Sequence, residues 1–225
     1  MINSFARYFV SFLFPQKIEV RKSSVSGDLE INYSNGKYVL DTVNVNYSFG
    51  GLHRIFQKAF AQFNVKERNI KNVLILGFGS GSVASILQKE YKMDVSITGV
   101  EKDEEVIGLA KKYFAIDEYK NLTLSCADAY DFVLIPTLVS FDLIVIDVFI
   151  DLVVPEKFQD EKFISAIGKL LSVNGILFYN FIARNEITRD RGAKLYKHLN
   201  QSVGKTEWFR LFAKSTENWV FVCRK

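Results

Sequence analysis

Three glycines at alternate positions, Gly77, Gly79 and Gly81, follow directly on the apolar run Val73, Leu74, Ile75, Leu76. An acid, Glu101, stands twenty residues after the last of them. Glycine has no Cβ, so such a turn can be tight and its backbone N–H groups can close on a ligand at the positive end of the following helix. That arrangement suits a nucleotide or a carboxylate, and an acid at the end of the next strand can take two hydrogen bonds from a ribose diol. Two more acids, Asp128 and Asp147, follow later strand-like runs, and Asp151 stands four residues after Asp147. Carboxylates after successive strands read as one pocket, against the plainer reading of each as a helix N-cap or a solvated acid. Cys126 and Cys223 lack metal-ligand spacing with the histidines, His53 and His198, so no metal is expected.

These residues need elements to carry them. From residue 72 onward strand and helix signals alternate: apolar strands over 73–76, 95–100, 122–125, 141–146 and 176–181, with amphipathic helices between them. Asn174-Gly175 reads as the cap of the helix over 160–171. A last helix near 189–203 leads to strands over 206–212 and 219–223, whose short link makes them antiparallel neighbours. The expected fold is therefore α/β, a Rossmann-like sheet of five parallel strands closed by an antiparallel C-terminal hairpin, with helices on both faces. Ahead of it, residues 17–24, 29–33 and 37–40 alternate around the turn Ser34-Asn35-Gly36 and predict a small antiparallel sheet. The expected organisation is an N-terminal amphipathic segment over 1–16, a β-domain with a connecting helix over 17–65, and a nucleotide-binding domain over 66–225.

At 225 residues, 48% apolar and 14% aromatic, the chain can bury a large core. A formal charge of +4 with the basic residues scattered among acids does not indicate a nucleic-acid surface. Residues 1–14 are aromatic but too short to span a bilayer and lack a secretory cleavage pattern. They predict a helix packed on the body or on a second subunit, as in a homodimer, with a membrane-surface role the lesser alternative. Both cysteines read as buried thiols in a reducing cytoplasm.

Residues 73–81, Glu101, Cys126-Ala127-Asp128-Ala129 and the run 141–147 resemble the S-adenosylmethionine-binding motifs of class I methyltransferases. The variant is that of the spermidine synthase family, in which an aliphatic residue, here Ile75, replaces an acid two positions before the first glycine. The hairpin ending Gly36-Lys37-Tyr38-Val39-Leu40-Asp41, followed by Tyr47 and His53, is similar to the N-terminal β-domain of those enzymes.

The resemblance implies that Gly77, Gly79 and Gly81 line the methionine and ribose portion of the ligand, with Phe78 and Ser80 among the cofactor contacts. Glu101, with Lys102 beside it, would hold the ribose hydroxyls, Asp128 and Ala129 would meet the adenine edge, and Asp147 would sit at the reacting end. Spermidine synthases carry two aspartates three apart at this strand end. Here Asp147 and Asp151 are four apart, with Ile150 at the expected second position. On that departure the expected function is an S-adenosylmethionine-dependent methyltransferase acting on a small, cationic acceptor. Aminopropyl transfer from decarboxylated S-adenosylmethionine and a non-catalytic cofactor-binding scaffold are the alternatives. Asp147, Asp151 and Tyr47 are the expected catalytic residues, with Tyr47 and His53 as lid candidates. A nicotinamide oxidoreductase fits less well, since its fingerprint wants Gly or Ala where Ser82 stands.

Overall fold

The continuous apolar runs become the interior strands of one large sheet in the computed structural model, which describes residues 4–42, 46–48, 51–150, 152–213 and 216–225. For Ser4 and residues 46–48 it describes the backbone alone. Parallel strands β5 (Asn72–Leu76), β6 (Ser96–Glu101), β7 (Leu122–Cys126), β8 (Phe141–Ile146) and β9 (Leu171–Ile182) are joined by helices, as parallel pairing requires. The hairpin of β10 (Lys205–Ala213) and β11 (Thr216–Arg224) adds antiparallel to β9, giving the order β10-β11-β9-β8-β5-β6-β7. The Rossmann-like sheet closed by a C-terminal hairpin is thus as the sequence predicts. From Val73 to Leu76, and from Leu143 to Ile146, every side chain is buried, because these two strands are covered on both faces.

This order places the reversal of strand order between β5 and β8. The chain runs outward from β5 through β6 to β7, then returns to lay β8 on the other side of β5. The crevice at such a switch point is where open α/β sheets bind ligands.

The connecting helices start on acids. Asp103 caps α4 (Glu104–Phe114) by accepting from the Glu105 N–H, Asp128 caps α5 (Ala129–Leu134) through the Tyr130 N–H, and Asp160 caps α6 (Glu161–Leu170) through the Phe163 N–H. One expected cap is different. Asn174-Gly175 does not terminate α6, which ends at Leu170 and passes straight into β9. Asn174, with φ +65°, instead kinks β9 where its pairing with β8 shifts register, and Lys225 Nζ covers the Gly168 and Leu171 carbonyls at the helix end. A cation from the chain's last residue does the work expected of a glycine.

The N-terminal strands form a separate antiparallel sheet, β1 (Gln16–Ser23), β2 (Gly27–Ser34), β3 (Lys37–Thr42) and β4 (Asn46–Ser48), in that order. It is tied to α4 by polar contacts. Ser23 Oγ donates to Asp103 Oδ2 at 2.5 Å, and Lys112 Nζ, Tyr113 Oη and Arg21 Nη2 all donate to the Glu19 carboxylate. Those bonds, Lys112 foremost, hold the Glu19 carboxyl down at about 2. Leu29, Ile31 and Leu40 join the same apolar core as the large sheet, bridged by Leu52, Ile55, Phe56, Ala59 and Phe60 of α2 (Gly51–Gln62). Before β1, α1 (Ser4–Val10) and the residues after it leave Phe5, Phe9, Leu13 and Phe14 exposed. Among the described residues, no helix is long and apolar enough to cross a membrane.

Candidate active site

At the switch point β5 turns through Gly77, whose φ is +81°. A Cβ there would lie 2.3 Å from the Asp147 carbonyl oxygen, because Asp147, one residue past β8, is hydrogen-bonded through its N–H to the Leu76 carbonyl at 2.8 Å. The glycine turn and the acid seventy residues away are in direct backbone contact. They open a cleft of about 950 Å³, counting solvent at its mouth, a size that suits a nucleoside-sized ligand.

Glu101, at the end of β6, is only 5% exposed. Its two carboxylate oxygens accept from the Gly79 N–H at 2.8 Å and the Asp103 N–H at 3.0 Å. Burial pushes its pKa upward, against the pull of those N–H groups. Each oxygen keeps a lone pair for a ligand hydroxyl. Asp128, besides capping α5, accepts from Lys157 Nζ at 2.7 Å and lies 3.1 Å from Lys102 Nζ. Burial alone would raise its carboxyl, but the Lys157 and Lys102 ammoniums and the Tyr130 N–H outweigh it and hold it below its ordinary value. Asp128 thus both caps α5 and lines the cleft.

Asp147 is partly buried, less so than Glu101. Burial lifts its pKa from 3.8 to about 7, with Glu101 adding to the rise and a bond from Asn180 opposing it. Asn180, fully buried on β9, donates through Nδ2 to Asp147 Oδ1 at 2.9 Å, and its own Oδ1 has no partner among the described residues. An amide can present either atom, so Asn180 can serve a charged or a protonated Asp147. The far wall is the segment 155–158. Tyr179, wholly buried on β9, donates its hydroxyl to the Phe158 carbonyl at 3.0 Å, and burial keeps that phenol neutral. Tyr179→Phe leaves that carbonyl unpaired and is expected to cost about 1–3 kcal/mol by urea denaturation, with weaker nucleoside binding through the loosened wall.

Of the expected cofactor residues, Gly77, Phe78, Gly79, Glu101, Lys102, Asp128, Ala129 and Asp147 line the cleft. Ser80 and Gly81 do not. Ser80 is fully buried, and Gly81, with φ +89°, is the cap that starts the following helix, facing Ile116, Phe78 and Tyr119. The alternating spacing that suggested them turns the chain into the helix as well as toward the ligand. Asp151 lies outside the described residues, as does the Tyr47 side chain. His53 is not in the cleft wall; its Nε2 pairs with Glu90 at 2.7 Å. Cys126, expected to be buried, is exposed at the end of the edge strand β7, and Cys223 is buried. Asn180, Lys157, Phe158, Val25 and Ser26 were not anticipated. They come from β9, the segment after β8 and the β1–β2 turn, and nothing in local pattern joins them to the glycines.

Residues 55–201 match the family model for the spermine/spermidine synthase domain. The chain belongs to that family. Over 112 residues it is 30% identical to a protein of Bifidobacterium longum named as a probable polyamine aminopropyl transferase, covering 50% of this chain and 24% of that one. Over 141 residues it is 31% identical to a polyamine aminopropyltransferase of Vibrio vulnificus, covering 60% of this chain and 42% of that one. The matched region therefore spans less than half the length of either curated relative. In fold it is similar to a probable spermidine synthase from Corynebacterium glutamicum, with a TM-score of 0.75 at 16% identity over 94% of this chain and 80% of that one.

These family relationships overturn the expectation of a methyltransferase, since the family and both curated relatives carry synthase or aminopropyltransferase names. The physical reason the motifs did not separate the two is that they are the ones expected to meet the adenosyl half of the ligand. S-adenosylmethionine and its decarboxylated form share that half, the sulfonium and its methyl group, and differ only in the carboxylate on the three-carbon arm.

Proposed function

We propose that the chain is an aminopropyltransferase, which moves the 3-aminopropyl group of decarboxylated S-adenosylmethionine to an amine. The observation that carries this reading is Asp147, a partly buried carboxylate at the switch point, hydrogen-bonded to Asn180, whose pKa of about 7 suits a proton acceptor near neutral pH. When bound, the donor supplies a sulfonium, an electrophile whose leaving group departs neutral. Glu101 would hold the ribose, and Asp128 with Ala129 the adenine edge. Because Asp128 is already paired with Lys102 and Lys157, the attraction for the cationic centre falls mainly on Asp147. Asp147 would orient the attacking amine and take its proton, with Asn180 steadying the carboxyl in both states. The cleft walls would exclude water and hold nitrogen and carbon in line.

This reading includes a homodimer that covers the exposed Phe5, Phe9 and Phe14, and a reducing cytoplasm that suits the two free thiols. The test is to incubate the purified protein with an amine panel and either S-adenosylmethionine or its decarboxylated form, resolving the nucleoside products by mass spectrometry. Release of 5′-methylthioadenosine from the decarboxylated donor is expected. Formation of S-adenosylhomocysteine and a methylated amine would overturn the proposal.

A further inference from the structure

Resting on the nucleoside-binding half of the aminopropyltransferase reading, we infer that Ser23 is a positioning residue of the cleft: its hydroxyl fastens the β1–β2 turn to the cap of α4, so that the turn roofs the bound nucleoside. Val25 and Ser26 of that turn line the same cleft as Gly79, Glu101 and Lys102. They belong to the small sheet, and something must hold them against the large one.

Alternate residues of a strand share one face. Glu19, Arg21 and Ser23 of β1 are such a set, and each bonds α4. Glu19 accepts from Lys112 Nζ and Tyr113 Oη, Arg21 Nη1 donates to Glu105 Oε2 at 3.2 Å, and Ser23 Oγ donates to Asp103 Oδ2 at 2.5 Å. These partners descend from the last turn of α4 to its N-cap, so β1 runs against the helix and delivers its final residue to the ligand end of β6. Asp103 is only 1% exposed. Its Oδ1 accepts from the Glu105 N–H at 3.0 Å, and its own N–H donates to Glu101 Oε1 at 3.0 Å. Two hydrogen bonds thus connect Ser23 to the acid proposed to hold the ribose.

A serine hydroxyl has one proton and two lone pairs, and here all three are used. The proton goes to Asp103, and the oxygen accepts from the Val25 N–H at 2.9 Å and the Ser26 N–H at 3.0 Å. One atom both shapes the turn and anchors it. Without that atom a buried carboxylate oxygen and two backbone N–H groups lose this partner, and water replaces it only if the turn lifts. The nucleoside must then bind a turn that is docked for part of the time, which raises its apparent Kd by the reciprocal of that fraction.

The experiment is calorimetry of the full chain with 5′-methylthioadenosine. Ser23→Ala is expected to bind at least about tenfold more weakly than the native chain, and Ser23→Thr, which keeps the hydroxyl, to stay within about threefold of it. Asp103→Asn tests the same bond from the other side, since asparagine still caps α4 but presents an amide N–H to Ser23; it too should lose at least about tenfold. Lys112→Ala cuts a tie to Glu19 at the far end of α4 and should stay within about twofold, which separates positioning of the turn from a general loosening of the small sheet. Binding within threefold of native by Ser23→Ala or Asp103→Asn, no rescue by Ser23→Thr, or an equal loss in Lys112→Ala overturns the inference and leaves aminopropyl transfer standing. A native chain that does not bind 5′-methylthioadenosine overturns the parent reading, and this inference with it.

Discussion

Asp147→Asn is expected to reduce kcat/KM at pH 8 by about 10²-fold or more, the usual contribution of a positioned general base, while making the folded protein more stable at that pH. The second effect follows from linkage. The folded chain holds the Asp147 proton up to about pH 7, whereas the unfolded chain releases it near 3.8, so between these values the folded state carries more protons. Stability contributed by this group is greatest below pH 4 and falls as pH rises to 7, by about 2–4 kcal/mol in all. Asparagine cannot ionise and can still accept from Asn180 Nδ2. Urea denaturation at pH 4.5 and pH 8 should show that loss in the native chain and not in the variant. The native kcat/KM should climb with pH toward a plateau above about 7, since that parameter reports the free enzyme. A variant that keeps native activity would show that Asp147 is not the base, and one that loses stability with pH as the native chain does would show that its pKa is not raised by folding.

Gly77→Ala should be nearly as damaging for a reason that involves no charge. An alanine must adopt φ +81° and place its Cβ 2.3 Å from the Asp147 carbonyl oxygen and 2.8 Å from its carbon. Neither β5 nor β8 can retreat, since both are buried in the centre of the sheet. The expected cost is about 3 kcal/mol or more, with at least tenfold weaker binding of 5′-methylthioadenosine by calorimetry. Gly27→Ala is the matched control, because Gly27 has a similar φ of +73° but nothing within 4 Å of its added Cβ. That variant should lose only the backbone term, about 1 kcal/mol. Equal losses in the two would mean that the contact between the glycine turn and Asp147 is not what constrains the site.

The reading of individual residues succeeded where one chain segment contains the whole cause. An unbroken apolar run such as 73–76 is suitable only for a strand covered on both faces, and three alternating glycines after it can only mark a turn. Asn174 shows the limit. It was read with Gly175 as a helix cap, but whether its αL backbone makes a helix cap or a strand kink depends on β8 pairing alongside and on Lys225 arriving at the helix end. Ser80 and Gly81 show it again, since alternate spacing alone does not say which members face a ligand and which face the helix they begin.

The choice between methyl and aminopropyl transfer was illegible for a different reason. Ile150, standing where the resemblance expects a second aspartate, was read against aminopropyl transfer, and the family match overturns that reading; the cleft beside Asp147 is built by several segments together, which local pattern does not show. By itself the sequence determined the strand order along the chain, the adenosyl-type turn and the acids after each strand, because these follow from local pattern and from chain direction. Only the tertiary structure decided that β8 lies against β5, and hence that Gly77 touches Asp147, that Asn180 and Tyr179 support the site from β9, and that Lys102 and Lys157 neutralise Asp128. Those contacts arise from crossovers that bring together residues dozens of positions apart, and the burial they create is what lifts Asp147 to the pKa its proposed chemistry requires.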